Sequence, residues 1–310
     1  MSGPYRLVTV RQRKMTWRQN RAVLQWDARK FEWALQSKNP QGQRNPVMIK
    51  SGPSECKSPR QSDWFECLSR SKAPRLRIFC FPYAGGSADI YRGWRRWFPE
   101  QIDLCLVHLP GRSKNIGRPA FSQLLPLVAE IVNHISLLAD IPYALYGHSM
   151  GALISFELAR KLSRQQLTGP KHLFVSGCRA PQYPRDEPVT FNLPHDEFIA
   201  ELKKLNGTPE EVLANAEVME LFIDLLRADF EAVETYKYHP GEPLSCPITV
   251  YGGIEDEHVP VQACRQWQKQ TSASCKVRMF RGNHFFVRNA GPEFVNAFCT
   301  DLLSAVVGMS

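Results

Sequence analysis

From residue 63 onward, short apolar runs alternate with stretches in which apolar residues recur every three or four positions. The runs are LRIFCFP (76–82), DLCLVH (103–108), YALYG (143–147), HLFVSG (172–177), PITVYG (247–252) and CKVRMFR (275–281). They are rich in β-branched and aromatic residues and are mostly apolar on both faces, as strands of a parallel sheet covered by helices must be. Helical periodicity fills the intervals. Residues 121–139 carry Leu124, Leu125, Leu127, Val128, Ile131, Val132 and Ile135, and further helices are expected over 150–163, 260–270 and 291–305. Strands and helices in alternation with short connections predict an α/β fold with a doubly wound, mostly parallel sheet.

One interval breaks the alternation. Residues 185–240 contain no clear strand; LPHDEFIAELKKLNG reads as a helix ended by Asn206-Gly207. Thr208-Pro209-Glu210-Glu211 then has the form of a capping box with proline at the first helical position. A longer helix is predicted at about 215–236, with Val218, Leu221, Phe222, Leu225, Leu226, Phe230 and Val233 on its apolar face. This is a helical insertion between the strands at 172–177 and 247–252. At the C-terminal edge of the sheet it would cover whatever lies there.

Ahead of residue 63 the pattern changes. Residues 11–36 suit a basic helix, and about 37–62 are rich in Pro, Gly, Ser, Gln and Lys, a composition that cannot bury enough apolar surface to order itself. Charge follows the same boundary. The chain has a formal net charge of +9, but residues 1–75 hold 16 Lys and Arg against 5 Asp and Glu, leaving a slight acidic excess for the rest. The reading is therefore a basic, disordered extension at 1–62 and one domain at 63–310. The extension is expected to be a solvated tail, with no nucleic-acid partner, although a basic arm can hold phosphates. No run of 18 apolar residues marks a membrane span, and no apolar leader marks secretion. The nine cysteines form no C-x-x-C pair. Their odd number favours a reducing, cytoplasmic setting over a disulfide framework.

The chemistry centres on Gly147-His148-Ser149-Met150-Gly151, a G-x-S-x-G between a predicted strand and a predicted helix. In that context the serine occupies a sharp turn that lifts its hydroxyl out of the sheet, and glycines two residues away avoid a collision. A serine needs a base, and in this arrangement the acid and then the histidine follow it along the chain. His284, in FRGNHFFVRN just after the last strand, is the best placed of the eight histidines. For the acid, VYGGIEDEHVP offers Asp256, flanked by Glu255 and Glu257, with Asp186 one strand earlier as the alternative. The acid would hold the His284 ring in the tautomer that accepts from Ser149. Backbone N–H groups of Met150 and of Ala84, or failing that Tyr83, are the expected oxyanion donors. Asp256, His258 and His284 lack a compact metal-ligand spacing, so neither a metal nor a cofactor is expected.

Several stretches together resemble one family: FCFPYAGGSADIYRGW, HLPGR, YGHSMGALISFELAR, LKKLNGTPEEV, LLRADFEAVETY and FRGNHFF. They look like type II thioesterases, free-standing α/β-hydrolases that serve nonribosomal peptide and polyketide synthases and are related to the medium-chain thioesterase of animal fatty acid synthesis. The resemblance runs from Trp64-Phe65 to the C-terminus. It implies an α/β-hydrolase fold and hydrolysis of acyl or aminoacyl thioesters from the phosphopantetheine arm of carrier proteins. It also implies a triad of Ser149, Asp256 and His284 and a flexible helical lid at about 185–240. The expected partners are carrier-protein domains and their synthase, and the chain is expected to be a monomer. Two other readings fit the residues: a carboxylesterase or lipase acting on oxygen esters, and a basic-tailed binding protein whose hydrolase body is not catalytic.

Overall fold

The computed structural model describes residues 62–69, 71–205, 207, 215–288 and 292–307. The readings over 1–61, and the capping box at Thr208-Pro209-Glu210-Glu211, lie outside the described residues. The elements run β1 (Phe65–Leu68), β2 (Leu76–Phe81), β3 (Ile102–Val107), α1 (Leu124–Ile135), β4 (Tyr143–His148), α2 (Met150–Arg164) and β5 (His172–Ser176). Then come α3 (His195–Leu205), α4 (Ala216–Glu234), β6 (Ile248–Gly253), α5 (Val261–Arg265), β7 (Cys275–Phe280) and α6 (Pro292–Val307). The strands form a seven-stranded sheet in the order β1-β3-β2-β4-β5-β6-β7. Every pairing is parallel except β1 with β3. This is the α/β-hydrolase arrangement, a mostly parallel sheet flanked by helices, with α3 and α4 inserted between β5 and β6.

The mostly apolar runs of the central strands have the cause assigned to them, whereas the edge strand β7 is only partly buried. Successive residues of one strand enter cores on opposite faces of the sheet. From β2, Phe79 and Phe81 join α1 and α2 on one face, while Leu76, Ile78 and Cys80 join the 3-10 helix Ala88–Arg96 and α6 on the other. On that second face Tyr91, Trp94, Tyr146, Tyr251, Phe294 and Phe298 meet edge to face. Such aromatic pairs add roughly 0.5–1.5 kcal/mol each beyond the area they bury.

Two features depart from the sequence reading. The edge strand β1 was not anticipated. It runs antiparallel to β3 and puts Cys67 opposite Cys105, and these two cysteines are disulfide-bonded. The expectation of wholly free thiols is corrected at that pair; Cys80, Cys178, Cys246, Cys264, Cys275 and Cys299 are free. The segment after β2 is a 3-10 helix, Ala88–Arg96, that packs Tyr91 and Trp94 against the sheet. Among the described residues no helix is long and apolar enough to cross a membrane.

The topology chooses the place for chemistry. Neighbours of β2 are β3 on one side and β4 on the other, so the loops leaving β2 and β4 diverge. Ligands of open α/β sheets bind in the crevice at such a reversal, at the carboxyl ends of the strands. Phe81, the last residue of β2, pairs with Gly147 near the end of β4. The loop at 82–86 and the turn at 147–151 therefore emerge side by side.

Candidate active site

The turn from β4 into α2 is built around Ser149, whose backbone lies at φ +53°, ψ −116°. A left-handed serine costs about 1–3 kcal/mol and persists only where its surroundings enforce it. The enforcement is visible. The Ser149 N–H donates to the Ser176 carbonyl of β5 at 2.8 Å. A Cβ on Gly147 would fall inside the Gly151 carbonyl, and one on Gly151 would lie 2.8 Å from the Pro82 carbonyl oxygen and closer still to that of Phe81. These glycines are needed for close approach. Gly151→Ala is expected to cost roughly 3 kcal/mol and to lower the melting temperature by about 6–12 °C in a thermal unfolding scan. A melting temperature within a degree of the unaltered chain would show that the turn has slack.

His284 and Asp256 arrive from adjacent strands. After β6 and β7 their loops stay zipped: Ile254 N donates to Phe280 O at 2.8 Å and Glu255 N to Gly282 O at 3.0 Å. The chains approach so closely at Gly253 that a Cβ there would strike the backbone of Gly282 and Asn283. The result is a contact of 2.7 Å between His284 Nδ1 and Asp256 Oδ2. Asp256 Oδ1 accepts from the His258 N–H at 3.1 Å, and the Asp256 side chain is fully buried while that of His284 is 16% exposed. A carboxylate at Nδ1 selects the Nδ1–H tautomer and leaves Nε2 with its lone pair free to accept a proton. Glu255, Glu257 and Asp186 are all exposed, so burial separates Asp256 from its rivals.

His284 stands beside the elbow. The rings of His284 and His148 have centroids 5.1 Å apart. His148 is fully buried and hydrogen-bonded through Nδ1 to Ser176 Oγ at 3.0 Å. Burial holds its imidazole well below the usual range, so it is neutral. His148 is thus a packing partner of the His284 ring. Among the described residues no hydrogen bond joins the Ser149 hydroxyl to His284.

The loop after β2 makes a tight turn, with Gly86 N donating to Tyr83 O at 2.9 Å and Gly85 at φ +72°. Gly85 N donates to Asp229 of α4 at 2.7 Å. Among the described residues neither the Ala84 N–H nor the Met150 N–H has a partner, so both remain able to receive an anionic oxygen. Met150 opens α2, where the helix dipole favours negative charge.

Against the loop after β2 lies α4, which is joined to α3 by an apolar cluster of Phe198, Leu202, Met219, Ile223 and Leu226. The Glu234 carboxylate clasps the base of the insertion, accepting from the Thr190 and Phe191 N–H groups at 2.7 and 3.0 Å and from Thr190 Oγ1 at 2.7 Å. Arg288 stacks on Phe285 and Tyr83, donates to the Tyr83 hydroxyl at 2.7 Å and bonds the Gly207 carbonyl. It thus links the His284 loop, the β2 loop and the insertion. Neither Arg288, Asp229 nor Arg112 was assigned a task by the sequence reading. HLPGR and LLRADFEAVETY contain two of them, but only tertiary contact shows what they hold.

Comparison with known proteins gives a consistent result. Residues 76–302 match the family described as Thioesterase domain. The gramicidin S biosynthesis protein GrsT of Aneurinibacillus migulanus is 42% identical over 239 residues, covering 77% of this chain and 93% of that protein. Among solved structures, RedJ, a thioesterase from the prodiginine biosynthetic pathway in Streptomyces coelicolor, is 33% identical with a TM-score of 0.69 and covers 75% of this chain and 91% of RedJ. The type II thioesterase BorB from the borrelidin biosynthetic cluster has a TM-score of 0.70 at 28% identity, covering 79% of this chain and 98% of BorB.

Proposed function

Because this chain belongs to the thioesterase family, its reaction is hydrolysis of a thioester, and we propose that it cleaves acyl or aminoacyl groups from the phosphopantetheine arm of carrier proteins. Ser149 is the nucleophile, His284 the general base and Asp256 the residue that orients it. The observation that carries this reading is the 2.7 Å contact of His284 with buried Asp256, beside the strained turn that presents Ser149.

Ser149 Oγ attacks the thioester carbonyl as His284 Nε2 takes its proton, which requires the ring and hydroxyl to close up when substrate arrives. The Met150 and Ala84 N–H groups receive the oxyanion. Collapse expels the pantetheine thiolate, which leaves with the proton from His284. Water then enters, gives a proton to His284 and attacks the acyl-serine carbonyl; the acyl–oxygen bond breaks as His284 returns the proton to Ser149 Oγ, and the carboxylic acid is released. The helices α3 and α4 act as a lid whose Leu, Phe and Ile side chains shelter the acyl group.

The partner synthase makes peptides, polyketides or fatty acids, and the enzyme edits or releases chains on it. Residues 63–310 form the catalytic domain, and the basic stretch before them is an extension. The test is a hydrolysis panel of acyl- and aminoacyl-carrier proteins set against soluble oxygen esters of the same acyl groups. The expected result is a kcat/KM at least roughly tenfold higher for the carrier thioesters, a difference of about 1.4 kcal/mol in transition-state binding. A consistent preference for the oxygen esters would overturn the reading in favour of a carboxylesterase.

A further inference from the structure

The helix α4 is joined to the loop after β2 by a buried ion pair for which the reaction steps above give no task. Asp229 Oδ1 accepts from Arg112 Nη2 at 2.7 Å, and Oδ2 accepts from Arg112 Nη1 at 2.7 Å. The same Oδ2 accepts from the Gly85 N–H at 2.7 Å. Arg112 Nη1 also donates to the Gly86 carbonyl at 3.2 Å, and Nε to the Pro110 carbonyl at 3.2 Å. The two side chains are only 4% and 2% exposed. Around them Leu226 fills the space where a Gly85 Cβ would stand, and Leu225 packs against Gly111.

Two consecutive residues of the loop are thereby fixed, Gly85 by its N–H and Gly86 by its carbonyl. The Gly86 N–H in turn holds the Tyr83 carbonyl at 2.9 Å. The Tyr83 carbonyl and the Ala84 N–H belong to one planar peptide, so fixing the first fixes the direction of the second. A loop of Ala84, Gly85 and Gly86 has little stiffness of its own. A carboxylate that is both charge-assisted and bidentate supplies it.

We propose that Asp229 and Arg112 are positioning residues that make the oxyanion site conditional on the docking of α4: the lid helix, through this pair, aims the Ala84 N–H. The inference rests on the functional reading above, in that it takes Ala84 as a donor to the tetrahedral intermediate. Displacement of α4 withdraws the carboxylate from the Gly85 N–H and leaves the donor misdirected, so catalytic power is present only under the closed cover. Binding of the acyl chain, which uses the apolar cluster, is separable from this effect.

Three variants test it, each measured for melting temperature, kcat and KM on an acyl-pantetheine thioester and on a p-nitrophenyl ester of the same acid. Both substrates pass through an oxyanion, so failure of the thioester reading leaves the oxygen-ester result intact. Asp229→Asn keeps an acceptor for the Gly85 N–H but breaks the ion pair. Arg112→Lys keeps the buried charge balanced but not the fork, and is the variant designed to stay folded. The double variant Arg112→Met with Asp229→Leu removes both charges, an exchange that buried pairs commonly tolerate. All three are expected to lose roughly 10- to 100-fold in kcat with KM changed by less than about threefold, as for a displaced rather than deleted oxyanion donor. The double variant is expected to regain melting temperature relative to Asp229→Asn without regaining kcat. Recovery of kcat together with stability would make the pair merely structural and overturn the inference, as would a kcat for Arg112→Lys within about twofold of the unaltered enzyme.

Discussion

Replacing Ser149 with Ala is expected to lower thioester turnover by roughly 10⁴- to 10⁶-fold, with KM little changed and the fold retained. The magnitude follows from the role. With no hydroxyl there is no acyl-enzyme, and what remains is the modest acceleration from the oxyanion donors and binding alone. The fold should survive because the strain at φ +53° is enforced by the backbone bond to Ser176 and by the approach of Gly151 to Phe81 and Pro82, none of which uses the hydroxyl. Intact-protein mass spectrometry gives an independent readout: the unaltered chain quenched during turnover of a slow substrate should carry the acyl mass, mapped by peptide to Ser149, and the variant none. Retention of more than about 1% of turnover, a loss of under 3 kcal/mol, would remove Ser149 from the mechanism.

Much of this architecture could be read in the linear sequence because the central strands are buried on both faces. Strands such as Leu76–Phe81 and Ile248–Gly253 are apolar at nearly every position, which only a covered parallel sheet requires. The elbow was equally legible, since two glycines and a serine between a strand and a helix have few other uses. What stayed hidden was whatever depends on partners far apart. The strand Phe65–Leu68 is four residues long and carries a single polar residue, Glu66, a pattern too short to distinguish from a loop until β3 is beside it. Asp256 could not be separated from Glu255 and Glu257 by composition; burial at the turn after β6 separates them. Arg112 and Asp229 lie 117 residues apart, and no local periodicity connects them. His148 sits between Ser176 and the His284 ring because the parallel register places residue 148 opposite 176.

The acid of the proposed triad carries the second large effect. Asp256→Asn is expected to lower kcat/KM by roughly 10³- to 10⁴-fold while leaving the melting temperature near that of the unaltered chain. Geometry and size are preserved, and Oδ1 can still accept from the His258 N–H. The atom facing His284 Nδ1 becomes the problem. An amide NH₂ there donates, so Nδ1 must accept and the ring proton moves to Nε2, the nitrogen that should take the proton of Ser149. The imidazolium formed during attack also loses the buried charge that stabilises it. Asp186→Asn and Glu255→Gln are the controls. Both positions are exposed, and each variant should stay within about twofold of the unaltered enzyme, as surface changes away from a site commonly do. If instead Asp186→Asn removed activity and Asp256→Asn spared it, the acid would come from the strand before, and the 2.7 Å contact at His284 would be a packing feature of the resting chain.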